Sequence, residues 1–175
     1  MIANRYEPLE PAPAGAAVKA RDMQTAQTVM LRPLTSLDER LCGIFHPSLV
    51  VIFDIVRDGA ATFAACEFVQ GRSLRLIMGG QPFNGRRAAE IVAEVADAVA
   101  ELHARGIHHG AVNIDTVLLT AKGKSKLDLV HANQASEGAD VDQLRALFKH
   151  LTGHPHPGLA GVESAAVLAA TLRSN

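Results

Sequence analysis

The chain has no tryptophan, one tyrosine and six phenylalanines, so its core must be assembled mainly from Ala, Val, Leu and Ile. It has two cysteines, Cys42 and Cys66. Both sit in apolar stretches, which argues against a disulfide framework and fits thiols buried as small hydrophobes. No apolar run reaches the roughly 18 residues of a membrane-spanning helix. Neither sign of charge dominates: 17 Lys and Arg stand against 18 Asp and Glu, a net charge of −1. Whole-chain electrostatics therefore gives no case for a nucleic-acid partner or a membrane surface. The first ten residues lack the basic-then-apolar pattern of a secretory signal, and a cytoplasmic protein is expected.

What is present is the composition of a soluble globular domain, with 48% apolar and 20% charged residues in 175. A single domain of this length buries about 70% of its unfolded surface and needs no covalent staple. The first ten residues are polar and are expected to be loosely ordered. Pro8, Pro11, Pro13 and Gly15 then predict an extended entry with a turn. Val18–Arg21 and Thr28–Arg32 read as strands around a turn at 22–27. Leu49–Val56 and Thr62–Val69 read as two more, giving an antiparallel meander. After Gly79-Gly80-Gln81-Pro82 the period changes. Ile91, Val95, Val99 and Leu102 line one face of a helix over 86–105, closed by Gly106. Short strands follow at 117–120 and 124–129. A second helix spans 140–151, with Val141, Leu144, Leu147, Phe148 and Leu151 as its stripe, and an Ala-rich helix spans 162–172. Strands first and helices second predict an α+β chain with two unequal lobes.

Four segments, in order, resemble bacterial-type serine/threonine protein kinases. His46-Pro47-Ser48-Leu49-Val50 resembles H-P-N-I-V, and Glu67-Phe68-Val69-Gln70-Gly71-Arg72-Ser73-Leu74 resembles the hinge pattern E-Y-V-E-G-x-S-L. Leu102-His103-Ala104-Arg105-Gly106-Ile107 resembles L-H-x-x-G-I. Asp140-Val141 and Leu151-Thr152-Gly153 resemble the two ends of a later helix. The resemblance implies a protein-kinase-like two-lobed fold. Residues 1–175 would form one domain, with a strand-rich N-lobe and hinge over 1–70. A reduced helical C-lobe over 71–175 would lack the activation segment and the later helices.

The family's chemistry is not matched at the corresponding positions. The catalytic loop H-R-D-L-K-P-E-N reads His109-Gly110-Ala111-Val112-Asn113-Ile114-Asp115-Thr116 here. Ala111 thus stands at the base, Asn113 at the Lys and Thr116 at the metal-binding Asn. A methyl group accepts no proton, and loss of a positioned base removes about 10²–10⁴ in rate. The glycine-rich loop becomes Pro11-Ala12-Pro13-Ala14-Gly15-Ala16-Ala17-Val18, in which proline offers no N–H to a phosphate. The phosphate-pairing Lys falls on Arg32, whose planar fork is a different donor. The D-F-G motif falls on Asp128-Leu129-Val130. Asp38 or Glu39 is the candidate partner for Arg32, although 33–45 leaves little room for the usual helix.

Cys66 takes the gatekeeper position, and Glu67 and Val69 supply a residual hinge. Seven residues separate Ala132 from Asp140, too few for an activation segment. His109 and Asp140 match structural positions of the family. The resemblance thus implies a catalytically inactive pseudokinase, not an enzyme, acting as a protein-binding scaffold or regulatory subunit of a larger assembly. No cofactor is expected, and homo-oligomers are compatible with the pattern. The alternative is a reduced phosphotransferase or nucleotide sensor using Asp128, a metal ion and a group such as Asp115. Eight histidines show no Cys/His zinc spacing, so no metal site is expected among them.

Overall fold

The computed structural model describes residues 1–174 and divides into two compact units. The first comprises Met1–Phe45 and Val50–Val69; the second comprises His46–Leu49 and the chain from Gln70 onward.

The first unit is a five-stranded antiparallel sheet. Its strands are β1 (Tyr6–Pro8), β2 (Val18–Asp22), β3 (Thr28–Pro33), β4 (Ile52–Asp58) and β5 (Ala61–Glu67), in the order β1-β2-β3-β5-β4. Alternation places Ala20, Val29, Leu31, Val56 and Ala65 on one face, where they pack with Tyr6. The expected meander is corrected here: β3 pairs with β5, and β4 lies outside it at the edge. The link between β3 and β4 is long and irregular and carries a single 3₁₀ turn at Glu39–Leu41. That length lets the chain pass to the far side of β5 before a short turn returns it.

The first ten residues are ordered, contrary to expectation. Tyr6 is 2% exposed, and β1 pairs with β2 through Tyr6 opposite Asp22. Arg5 supplies the reason. Its guanidinium grips Asp22 with two bonds, Nε to Oδ1 at 2.9 Å and Nη2 to Oδ2 at 2.7 Å. Asp22 also accepts Gln24 N–H at 2.9 Å, closing the β2–β3 turn. One side chain therefore orders a turn and docks the preceding strand.

The second unit is built on α2 (Gly85–Ala104). Asn84 caps it by accepting Arg87 N–H at 2.8 Å. Ile91, Val92, Val95, Val99 and Leu102 are completely buried along it. Against it pack α3 (Glu137–Thr152), α4 (Ala165–Ser174) and strand β8 (Ser125–Leu127). Strands β6 (Gly71–Ser73), β7 (Val117–Thr120) and β8 form a small antiparallel sheet. Glu94 on α2 accepts Ser125 N–H at 2.7 Å and ties sheet to helix. A short helix, α1 (Leu74–Met78), which periodicity did not predict, follows β6 with Ser73 as its cap. Among the described residues no helix is long and apolar enough to cross a membrane.

Asp22 tests the anchoring of β1. The Arg5 bonds hold its carboxyl well below the usual carboxylate range, more than burial raises it. Asp22→Asn should cost about 1–3 kcal/mol in urea unfolding at neutral pH. A carboxyl with a lowered folded-state pKa contributes fully above its unfolded value of about 3.9 and loses that contribution as pH falls below it. The gap between the two proteins should therefore begin to narrow near about pH 4 and keep narrowing as pH falls toward the lower folded-state value. A gap unchanged down to pH 2 would show that the Arg5 pair is not its source.

Candidate functional site

The positions singled out in the sequence fall in both units. In the first, Arg32 lies half-buried on β3, in register with Ala64. Glu67 ends β5 and clasps Val51 twice, through its own N–H to Val51 O at 2.8 Å and from Val51 N–H to its Oε1 at 3.0 Å. Cys66 is 1% exposed, its thiol directed to Ala64 O at 3.7 Å. Val69 is half-buried. Of Pro11–Val18, residues 11–17 form a largely exposed turn, with Ala16 N–H on Pro13 O at 3.1 Å, and Val18 begins β2. Asp38 caps the 3₁₀ turn through Arg40 N–H at 2.9 Å, and Glu39 lies 3.7 Å from Arg57.

In the second unit the structure gathers Ala111, Asn113, Asp115, Thr116 and Asp128 around one loop, from Ile107 to Thr116. Asp140 organises it. This carboxylate is 0% exposed. Its Oδ1 accepts Gly110 N–H at 2.6 Å and its Oδ2 accepts His109 N–H at 2.8 Å. The same Oδ2 lies 2.7 Å from His103 Nε2. Asp140 stands on the first turn of α3, which Ser136 caps through Ala139 N–H at 3.0 Å. One turn further along, Gln143 receives Val112 N–H on Oε1 and donates Nε2 to Gly110 O, both at 2.8 Å.

His109 is also 0% exposed. Its Nε2 lies 2.6 Å from Asp128 O, a carbonyl that can only accept, so Nε2 carries the proton. Ala111 N–H donates to its Nδ1 at 3.1 Å, so that nitrogen is bare. The ring is the neutral Nε2–H tautomer. Burial lowers its pKa, opposed by the bond to Asp128 O and the charge of Asp140.

The remaining side chains bond the loop itself. Thr116 Oγ1 donates to Ala111 O at 2.6 Å and accepts Asn113 N–H at 3.0 Å. Asn113 Oδ1 accepts Asp115 N–H at 2.8 Å and Thr116 N–H at 3.2 Å. Asp115 is exposed and held bidentately by Arg75, at 2.5 and 2.8 Å. Asp128 is 5% exposed, and its Oδ1 accepts Val130 N–H at 3.1 Å, a local turn.

Three parts of this arrangement went unforeseen: the Gln143 clamp, the Arg75–Asp115 pair and the His103 contact. Only the first left a trace in sequence, since Gln143 lies three residues past Asp140 on one helix face.

No family model matches the chain. Among curated proteins it is 36% identical over 84 residues to serine/threonine-protein kinase PkaB of Streptomyces coelicolor, spanning 47% of this chain and 20% of that protein. It is 26% identical over 135 residues to CBL-interacting protein kinase 31 of Oryza sativa, spanning 73% and 29%. A probable serine/threonine-protein kinase PknB of Lactococcus lactis matches at 27% over 109 residues, 62% and 17%. The chain thus spans less than a third of these relatives' lengths. Among solved structures, the Mycobacterium tuberculosis PknI kinase domain superposes with a TM-score of 0.75 at 18% identity, covering 97% of this chain and 95% of that one.

The class is therefore a protein-kinase fold, α+β, in a shortened form. Its sequence similarity is to serine/threonine kinases, bacterial ones among them. The relatives also correct one expectation. They are named as kinases, hence as enzymes, which overturns the reading of the chain as a non-enzyme drawn from Ala111, Asn113 and Thr116.

Gly110 offers a direct test of the loop. Its φ is +83°, and a Cβ there would lie 1.7 Å from Asn133 Oδ1 and 2.9 Å from Ala135 N. Gly110→Ala should lower unfolding stability by about 2–3 kcal/mol, from backbone strain plus the clash. Adding Asn133→Ala removes the nearest atom and should restore part of that loss. Purely additive effects in the double variant would mean the loop is not packed this way.

Proposed function

We propose that this kinase-fold chain works through protein contact, as a scaffold or regulatory subunit of a larger assembly. The observation that carries the reading is apolar surface next to a rigid loop. On α1, Leu76 is 71% exposed and Ile77 40%. Ile77 also lines a groove of about 380 Å³ with Gly71, Arg72 and Leu119. The helix is held to the loop by Arg75, through Asp115 and through its own N–H on Ile114 O at 3.0 Å. Large aliphatic side chains in solvent gain free energy when a partner covers them. A groove beside a rigid element gives such a partner a fixed shape to meet.

A second reading is a reduced phosphotransferase or nucleotide sensor. It is favoured by Asp128, an acidic residue kept at the position where the family binds metal, and by the named activity of the relatives.

Two measurements separate them. Leu76→Asp with Ile77→Asp should abolish co-purification of a defined partner from the native host. The melting temperature should stay within about 3 °C, since surface changes are small in stability. Retention of that partner by the double variant would refute the assigned face. In parallel, a thermal-shift titration with ATP and Mg²⁺ or Mn²⁺ reads nucleotide binding. A ligand at 100 times its Kd adds about 2.7 kcal/mol, a shift of several degrees here. A metal-dependent shift would move the conclusion to the second reading.

A further inference from the structure

We propose that His103, His108 and Asp140 form a binding site for a divalent first-row transition cation of the Zn²⁺ type, at the junction of α2 and α3. One donor atom from each lies within 4.8 Å of the other two. His103 Nε2 and Asp140 Oδ2 already meet at 2.7 Å, and the two imidazoles stand edge to face with centroids 5.5 Å apart. Donors around a tetrahedral Zn²⁺ are separated by about 3.3 Å, given bond lengths of about 2.0–2.1 Å. That spacing falls between the 2.7 Å contact and the 4.8 Å outer bound, so side-chain shifts of about an ångström close the set.

The independent observation is His108 Nδ1. It is a buried side-chain nitrogen with no hydrogen-bond partner among the described residues. A buried imidazole nitrogen normally donates to or accepts from something, and a bare one has a lone pair available to a metal ion when it is the unprotonated nitrogen. His108 is one of the three residues of the cluster. The surroundings also resemble the supporting groups of metal centres. Glu137 Oε1 lies 3.8 Å from His103 Nδ1, on the side of the ring away from Asp140. At that distance the carboxylate is no hydrogen-bond partner, but it adds negative charge behind the ring, which favours a cation on the far side. Asp140 is oriented in turn by the N–H groups of His109 and Gly110. The His103 side chain is 8% exposed and Asp140 is not exposed at all, while His108 is half-buried and opens the site on one side.

Two imidazoles and one carboxylate suit Zn²⁺ or Co²⁺ rather than Ca²⁺ or Mg²⁺, which prefer oxygen donors alone. Three protein ligands leave a coordination position for water or another donor. The pattern escaped the sequence because Asp140 is remote from the two histidines in the chain and no cysteine takes part.

The test is Co²⁺ titration of the whole chain, stripped of metal by chelator, with visible absorption as the readout. One equivalent should give the intense d–d bands of a four- or five-coordinate ion, displaced by one equivalent of Zn²⁺, and Zn²⁺ should raise the melting temperature. His108→Ala should weaken binding at least tenfold, while His154→Ala with His156→Ala should leave it unchanged. Should the Ala variant melt early without metal, His108→Asn replaces it and is expected to show the same loss. No bands at 100 μM Co²⁺, bands of equal strength in the His108 variant, or bands lost with His154 and His156 would each overturn the site.

Discussion

Asp140 is the point on which the second unit turns. A carboxylate removed from water is costly unless hydrogen bonds replace its hydration, and this one has three donors aimed at it. Two are backbone N–H groups of consecutive residues, His109 and Gly110, and the third is the His103 ring. In this conformation the loop aims both amides at the buried charge, which favours it over conformations that turn them away. Removing a partner would leave either a buried charge or two buried amides unsatisfied, each costing on the order of 1–3 kcal/mol. One acid on the first turn of one helix thus fixes the start of the loop, at His109 and Gly110.

The loop's other bonds follow from that fixed start. With His109 and Gly110 in place, the His109 ring reaches Asp128 O, while its carbonyl receives Asn133 N–H at 2.7 Å. Asn133 Oδ1 then occupies the space that a side chain at position 110 would need. Glycine is required there on two counts, positive φ and absence of Cβ. An arginine, which the kinase pattern places at this position, has no room in this loop. The substitution and the short segment after Ala132 are one structural fact: the chain returns through the volume that a longer side chain would have filled.

How much of this was legible in the sequence depends on whether the cause was local. The stripe of α2 and the spacing of Leu144, Leu147 and Leu151 on α3 repeat at helical period, and the structure has them buried. The edges of β2, β3 and β7 were readable for the same reason. Strand β1 was not, because Tyr-Glu-Pro has no apolar alternation and its order comes from the Arg5–Asp22 pair, 17 residues apart. Nor was the placement of β4 outside β5, which is decided by the length of the intervening link. At the site, Ala111, Asn113 and Thr116 lie on one loop, with Asp128 beside it through its N–H on Thr116 O. Their hydrogen-bond partners, Gln143 above all, were set by tertiary packing that no motif describes.

The shared use of Asp140 Oδ2 has a mechanical consequence. The oxygen that meets His103 is the oxygen that accepts His109 N–H. A displacement of the His103 ring would therefore be felt at the loop amide through this shared oxygen. A lateral shift of α3 would carry Asp140 and Gln143 together, since they occupy one face a turn apart. The loop backbone would move with them at His109, Gly110 and Val112. Helix α1 is coupled onward through Arg75, Asp115 and Ile114. A contiguous path of hydrogen bonds therefore runs from the α2–α3 junction to the exposed aliphatic face of α1. A path alone is no evidence of communication. It does identify which contacts could have two states: the 2.7 Å meeting of His103 with Asp140 at one end and the Arg75–Asp115 pair at the other, the two links made by ionisable side chains on both sides.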